Sequence, residues 1–216
     1  MLYTTLEYKR MTEQPWGRIF YDIIFRQLNI SDSPRMKILD FGAGFCITSD
    51  HYALNHDVIA YEPNADMYNL RCKSSKYVFI SDLKSIREMP KESFDMVICH
   101  NVLEYAENKN ECIDIISDLV KKNGIISIVK HNMLGKIFAQ AVFEDSPENA
   151  LAHFNNFSTQ QNTIFGSRIL FSNEELCRVM KKHRFDIINT YGIRAFYGLS
   201  SNNKLKYSEK WYKNML

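Results

Sequence analysis

The sequence predicts an α/β protein built on a doubly wound, mostly parallel sheet. Short apolar runs alternate with helical patterns through the first 130 residues. Buried parallel strands have this near-continuous apolar character, and the helices between them form right-handed crossovers on both faces of the sheet. The predicted strands are 36–41, 57–61, 77–80, 94–99 and 124–129.

We expect the 216 residues to form a single domain, because a domain usually holds roughly 100–200 residues. The alternation of predicted strands and helices ends after the fifth strand. The segment that follows contains Pro147 and scattered aromatic side chains, which suggest a helical insert over the carboxyl edge of the sheet. The expected segments are an N-terminal helical part, 1–35, a core, 36–130, the insert, 131–172, and a C-terminal part, 173–216.

The outer segments carry their own secondary-structure signals. Residues 14–28 have apolar side chains at helical spacing, and Ser172 or Asn173 is a candidate N-cap for a helix ending at His183. A sixth strand is predicted over Phe185–Tyr197, and a short helix over 204–215. No apolar strand follows, so a seventh strand is expected to be missing.

Composition excludes several classes of protein. No apolar run approaches the 18 residues of a membrane span, and the N-terminus lacks the basic start and apolar middle of a signal peptide. The five cysteines form no C-x-x-C pair, which favours reduced thiols in a cytoplasmic protein and no metal site. We therefore expect no membrane partner and a monomer or weak dimer.

A glycine-rich turn follows the first predicted strand, where doubly wound sheets bind ligands. Gly42, Ala43 and Gly44 would let the backbone approach a ligand closely, and Glu62, at the end of the second strand, could accept both hydroxyls of a ribose. Ile47 stands where a dinucleotide fingerprint needs its third glycine. The acid Asp40 would repel a pyrophosphate, so the pattern favours an adenosyl group bearing an amino acid.

These motifs resemble those of class I S-adenosylmethionine-dependent methyltransferases, which have a Rossmann-like fold. The resemblance rests on ILDFGAG, on the acids of AYEPN and ISDL, on FDMVICHNVLEYAEN and on NGIISIV, and it covers about residues 36–130. One departure is Cys46, because many family members have a glycine there. Glu104, within the fourth motif, is interpreted as a solvated helix residue.

The resemblance implies a role for each matched residue. Gly42, Ala43 and Gly44 would face the methionine part of S-adenosylmethionine, with Asp40 near its ammonium group. Glu62, followed by Pro63, would hold the ribose. The adenine and the sulfonium would be lined by Asp82, Leu83 and His100. Two alternatives stay open: Asp82 as only a helix N-cap, and His100 as a residue with satisfied hydrogen bonds.

The flanking segments look like the branch that includes the tRNA 5-carboxymethoxyuridine methyltransferase. His131-Asn132-Met133-Leu134-Gly135 follows the fifth strand, and Gly192-Ile193-Arg194-Ala195-Phe196 lies near the end. This likeness implies that His131, Asn132 and Arg194 orient an oxygen nucleophile, and that Arg18 binds the cofactor carboxylate. Arg18 could instead be a solvated helix residue. A protic nucleophile would need His100 or His131 as proton acceptor.

The charge distribution adds a candidate partner. Residues 178–216 carry a net charge of +7 with interleaved aromatic side chains, whereas the rest of the chain carries −5. A basic segment of this kind could contact the phosphates of tRNA, or it could be a solvated end of the chain. Three functions stay open: an RNA methyltransferase, a methyltransferase for a small carboxylate or phenol, and a non-catalytic binding protein on the same fold.

Overall fold

The computed structural model describes residues 4–71, 73, 76–155, 160–163, 166–195 and 202–216. The sheet strands are β1 (Lys37–Phe41), β2 (Asp57–Tyr61), β3 (Val78–Ile80), β4 (Phe94–His100) and β5 (Val120–Val129). They form one parallel sheet in the order β3-β2-β1-β4-β5, which confirms the predicted fold class. The strands β6 (Gln160–Thr163) and β7 (Gly166–Ile169) pair separately.

The central strands are the most deeply buried elements because both of their faces are covered. In β1, Ile38 and Leu39 are completely buried, and β4 buries Phe94 and Val97 to the same extent. Each fully buried aliphatic or aromatic side chain stabilises the fold by about 1.5–3 kcal/mol. This apolar continuity is the property from which the strands were predicted.

Side-chain caps begin several of the helices. Asn108 accepts from the backbone of Glu111 at the start of α6, and Ser172 accepts from Glu175 at the start of α9. The helices are α1 (Thr5–Thr12), α2 (Pro15–Leu28), α3 (Ile47–Tyr52), α4 (Ala65–Tyr68), α5 (Leu83–Arg87), α6 (Lys109–Leu119), α7 (Met133–Val142), α8 (Pro147–Asn155), α9 (Asn173–Lys182), α10 (Asn203–Lys206) and α11 (Glu209–Met215).

The described residues divide into two compact units. The sheet unit comprises Ser31–His131 with Phe165–Arg168, and the helical unit comprises Met1–Ile30, Asn132–Ile164 and Ile169–Leu216, as far as these ranges are described. Within the helical unit, α7 packs against α8 and α2 packs against α11. The single-domain organisation stays a prediction.

Three expectations about secondary structure were wrong or incomplete. The described part of the predicted sixth strand, residues 185–195, has no strand structure, and Phe196 and Tyr197 lie outside the described residues. Ile187 and Ile188 in this segment are 51% and 74% exposed, so these apolar side chains are not buried against a sheet. Among the residues of the insert that the structure describes, only α7 and α8 are helical. The helix α1 was not predicted, although Thr4 and Glu7 form a capping box.

Two further features complete the fold. β5 begins at Val120, earlier than predicted, because a bulge between the pairs Phe94–Val120 and Met96–Ile125 absorbs the expected turn. Cys46 and Cys99 are buried free thiols, Cys112 and Cys177 are partly buried free thiols, and Cys72 lies outside the described residues. No helix in the described part of the chain is long and apolar enough to cross a membrane.

Candidate active site at the carboxyl ends of the strands

The turn after β1 has a backbone that side chains tolerate poorly. Gly42 and Gly44 have φ angles of +81° and +55°, in the left-handed region that favours glycine. The N–H groups of Gly42 and Ala43 both donate to the carbonyl of Tyr61, at 2.8 Å. A Cβ on Gly42 would lie 2.3 Å from Cγ2 of Val102, so this glycine lets the segment after β4 approach the turn.

Glu62 holds the far side of this turn. Its Oε2 accepts from the N–H of Gly44 at 2.7 Å, and its Oε1 accepts from the N–H of Asn64 at 2.8 Å. Burial raises the pKa of Glu62, although these two hydrogen bonds partly offset the rise. Each carboxylate oxygen can accept a second hydrogen bond, so the predicted ribose contact is chemically compatible with this arrangement. Pro63 follows on the exposed surface.

Asp40 is a buried acid inside β1. Its Oδ2 accepts from Oγ of Ser49 at 2.6 Å, and only 3% of the residue is exposed. Burial raises the pKa of Asp40 to about 6, against the hydrogen bond from Ser49 and with a further rise from the charge of Glu62. A nearby cation would stabilise the ionised form, as the predicted position beside an ammonium group requires.

Cys46, which replaces a glycine of many family members, adopts a conformation typical of glycine. Its φ is +59°, and it is the N-cap of α3 without a side-chain capping bond. Burial raises the pKa of its thiol to about 12, so the residue packs as a small apolar group and is not a nucleophile.

Asp82 is a helix cap in this structure. It is exposed, and it accepts from the N–H of Ser85 at 2.7 Å and from Oγ of Ser85 at 2.9 Å at the start of α5. These hydrogen bonds lower the pKa of Asp82. The structure thus shows Asp82 as the N-cap of α5, and the adenine contact of Asp82 and of the neighbouring Leu83 stays a prediction.

His100 closes β4 as a neutral ring. Its Nε2 lies 2.8 Å from Oγ of Ser127, and burial lowers its pKa to about 3. Its Nδ1 is buried and has no hydrogen-bond partner among the described residues. The ring therefore has one nitrogen for a ligand but cannot hold an extra proton near neutral pH.

Glu104 is the functional candidate that sequence reasoning missed. It was expected on a solvated helix, but it lies in the loop between β4 and α6 and is 2% exposed. Its Oε1 accepts from the backbone N–H of His131 at 2.6 Å and lies 3.0 Å from Nδ1 of the same residue. Its Oε2 is buried without a described partner. Only the motif context of this acid could have indicated a buried role.

The other predicted residues belong to the helical unit. Arg18 forms an ion pair with Glu209 and stacks over the ring of Tyr212. Arg194 donates to the carbonyl of Trp16 at 3.3 Å and lies over the Trp16 ring. Asn132 is the exposed N-cap of α7 and accepts from the N–H of Gly135. Their roles toward a cofactor or an acceptor stay predictions.

The sheet unit thus brings together the candidates at the ends of four strands. Gly42 and Gly44 follow β1, Glu62 follows β2, His100 ends β4, and His131 follows β5. The buried Nδ1 of His100 and Oε2 of Glu104 offer a ligand one nitrogen and one oxygen atom. With two glycines that leave the backbone accessible and three buried carboxylates, Asp40, Glu62 and Glu104, this set of groups fits an adenosyl group bearing a cationic amino acid.

Comparison with known proteins points the same way. Residues 39–128 match the family model of a methyltransferase domain. The sequence matches no curated protein. The matched segment begins in β1 and ends in β5, so it includes the glycine-rich turn, Glu62, His100 and Glu104 but not His131.

Solved structures share the fold at low sequence identity. A SAM-dependent methyltransferase of Methanosarcina mazei aligns with a TM-score of 0.57 and 15% identity, over 75% of this chain and 85% of its own. A Haloferax volcanii protein solved in complex with the Trm112 methyltransferase activator aligns with a TM-score of 0.61 and 12% identity, over 88% and 76%.

A third structure contains ligands. The 1,6-didemethyltoxoflavin-N1-methyltransferase of Burkholderia thailandensis, with bound S-adenosylhomocysteine and 1,6-didemethyltoxoflavin, aligns with a TM-score of 0.54 and 14% identity, over 85% of this chain and 73% of its own. The family match over residues 39–128 and the shared fold together support a methyltransferase that uses S-adenosylmethionine as its cofactor.

Proposed function

We propose that this enzyme transfers the methyl group of S-adenosylmethionine to an oxygen atom of a small molecule. The observation that carries the proposal is the hydrogen-bonded contact between Glu104 and His131, which follow β4 and β5 in the same unit as the glycine-rich turn. No Asn-Pro-Pro-Tyr-type segment follows β4, which by family resemblance weighs against methylation of an exocyclic base amine.

The residues that would hold the cofactor follow from the geometry of the turn. The backbone at Gly42, Ala43 and Gly44 would face the methionine part, and Asp40 would balance its ammonium charge. Glu62 would accept from the ribose hydroxyls while it keeps its bonds to the N–H groups of Gly44 and Asn64. Asp82, Leu83 and His100 would line the adenine and the reacting centre, and Arg18 would bind the carboxylate.

The protein's contribution to the reaction is orientation and the exclusion of water. When bound, S-adenosylmethionine supplies an activated methyl group: the bond from the acceptor oxygen to the methyl carbon forms, the methyl–sulfur bond breaks, and its electron pair stays on sulfur. The side chains of His131, Asn132 and Arg194 would orient the acceptor oxygen.

An RNA acceptor, the carboxylate of a modified tRNA wobble uridine, is the second candidate. The observation that favours it is a group of exposed basic side chains in the C-terminal part of the chain: Arg178, Lys181, Lys182, Arg184, Lys204, Lys210 and Lys213. Binding to RNA phosphates would release counterions, so the affinity for bulk tRNA would fall steeply as salt concentration rises.

Calorimetry with S-adenosylmethionine and S-adenosylhomocysteine tests the enzyme proposal directly. We expect both to bind with micromolar dissociation constants. If neither compound binds, both methyltransferase proposals fail, and a non-catalytic protein is the function that stays open. Two measurements separate the two acceptor classes. Mass spectrometry shows which methylated small molecule or nucleoside is missing from a strain that lacks the protein, and labelled cofactor shows which of that strain's molecules the enzyme methylates. A missing methylated nucleoside would favour RNA over a small molecule.

A further inference from the structure

We propose that Glu104 is a positioning residue that selects the tautomer of neutral His131 with the proton on Nδ1, so that Nε2 accepts the proton of a hydroxyl or phenol acceptor. The inference rests on the proposed function and deepens it by naming the substrate class: a protic oxygen nucleophile, not a carboxylate. Neither residue needs to contact the cofactor for this role.

The two hydrogen bonds to Glu104 fix both the main chain and the ring of His131. Oε1 of Glu104 receives the backbone N–H at 2.6 Å and lies 3.0 Å from Nδ1. The Glu104 side chain is 1% exposed, whereas that of His131 is 40% exposed. The acid is therefore anchored in the interior, and the other edge of the imidazole reaches the surface of the unit.

The charge state of Glu104 decides the tautomer. Burial alone would raise its pKa, but the hydrogen bonds from the ring and the backbone of His131 lower it. Near neutral pH the group is then an ionised carboxylate, which only accepts hydrogen bonds, so Nδ1 of His131 must donate. A neutral imidazole carries one N–H, and Nε2 is left with a free lone pair.

The loop that carries Glu104 lies against the glycine-rich turn. Val102 occupies the space beside Gly42, and the N–H of Asn101 donates to the carbonyl of Val129 at 2.8 Å. These contacts join the end of β4 to the end of β5 and to the turn after β1. The Glu104–His131 pair thus belongs to the same edge of the sheet as the cofactor candidates.

The proton balance selects the substrate class. A hydroxyl or phenol loses a proton when its oxygen is methylated, and Nε2 of His131 would take that proton while Glu104 balances the new imidazolium charge. His100 cannot do this, because burial lowers its pKa to about 3. A carboxylate acceptor is already ionised near neutral pH, so a proton-accepting nitrogen would add nothing to its reaction.

The first test needs no acceptor. Nitrogen NMR of the full chain should show Nδ1 of His131 protonated and Nε2 unprotonated, and Glu104→Gln should lower the population of this tautomer, because an amide can donate to Nδ1 as well as accept from it. Glu107→Gln is the matched control, since Glu107 is exposed on the same loop, and it should leave the tautomer unchanged. A wild-type ring protonated at Nε2 would overturn the proposal even if the protein binds S-adenosylmethionine.

The second test uses phenol and benzoate as probe acceptors with labelled cofactor. We expect faster methylation of phenol, a loss of about 100-fold in kcat for Glu104→Gln, and cofactor affinity within about twofold of the wild type. Faster methylation of benzoate, or an unchanged kcat in Glu104→Gln, would overturn the assignment. Cofactor binding by calorimetry separates this outcome from a failure of the proposed function.

Discussion

Two buried glutamates at the same edge of the sheet serve different partners. Glu62 accepts from backbone N–H groups of the turn after β1 and of the start of α4, whereas Glu104 accepts from the main chain and the ring of His131. Burial raises the pKa of Glu62, and although burial would do the same at Glu104, His131 lowers the pKa of Glu104 below its ordinary value.

The comparison shows that two residues of the same type can have different roles at one site. Around Glu62 the partners are fixed dipoles, so this region holds a backbone shape in place for a ligand. Around Glu104 the partner is a histidine, the residue type that the proposed reaction uses as its proton acceptor. Variants on each side should separate these two roles.

The largest effect is expected at Gly42, where the two regions touch. Gly42→Ala must place a side chain at a φ of +81° and 2.3 Å from Val102, which should lower the free energy of unfolding by about 3–4 kcal/mol in denaturant titrations. Because part of this cost is the clash, Gly42→Ala with Val102→Ala should recover some stability relative to Gly42→Ala. No recovery would mean that backbone strain accounts for the whole loss.

Asp40→Asn should change how stability depends on pH. Because the folded-state pKa of about 6 lies above the ordinary value of 3.8, the folded protein binds this proton more tightly than the unfolded chain. Stability from this group is full below about pH 4 and is lost as pH rises through about 6, by up to about 3 kcal/mol. Denaturant titrations across this window should show a smaller loss in the variant, and the exposed Asp32→Asn should behave as wild type.

Glu62→Ala should weaken cofactor binding without abolishing the fold. We expect at least a tenfold loss in affinity for S-adenosylmethionine, or about 1.4 kcal/mol, in calorimetry. Glu107→Gln provides the control for a lost negative charge. An unchanged affinity in Glu62→Ala would place the ribose contact elsewhere and leave Glu62 only its bonds to the turn.

The smallest effect is expected at Cys46. Cys46→Gly relieves a φ of +59° in a non-glycine residue but removes a buried side chain, so the free energy of unfolding should change by less than about 1 kcal/mol. Thermal unfolding of the variant measures the balance. A large loss would show that the thiol's packing outweighs the backbone strain.

The amino-acid sequence by itself determined where the five sheet strands and the glycine-rich turn lie along the chain. Apolar runs such as 94–99 encode burial on both faces of a parallel sheet, and Gly42 and Gly44 encode positive φ angles. Both signals are local, because they depend on the residue type and its immediate neighbours. The same local signals indicated the candidate acids, because Asp40 stands just before the glycine-rich turn and Glu62 ends the second predicted strand.

Only the tertiary structure decided the partners of those side chains. The pattern that predicted a sixth strand at 185–197 is apolar, but strand formation needs a neighbouring strand, and the described part of this segment has none. Glu104 and His131 are 27 positions apart in the sequence, and no local pattern predicts the two contacts between them. A buried carboxylate is stable only with a partner, and that partner is set by which strand ends the fold brings together.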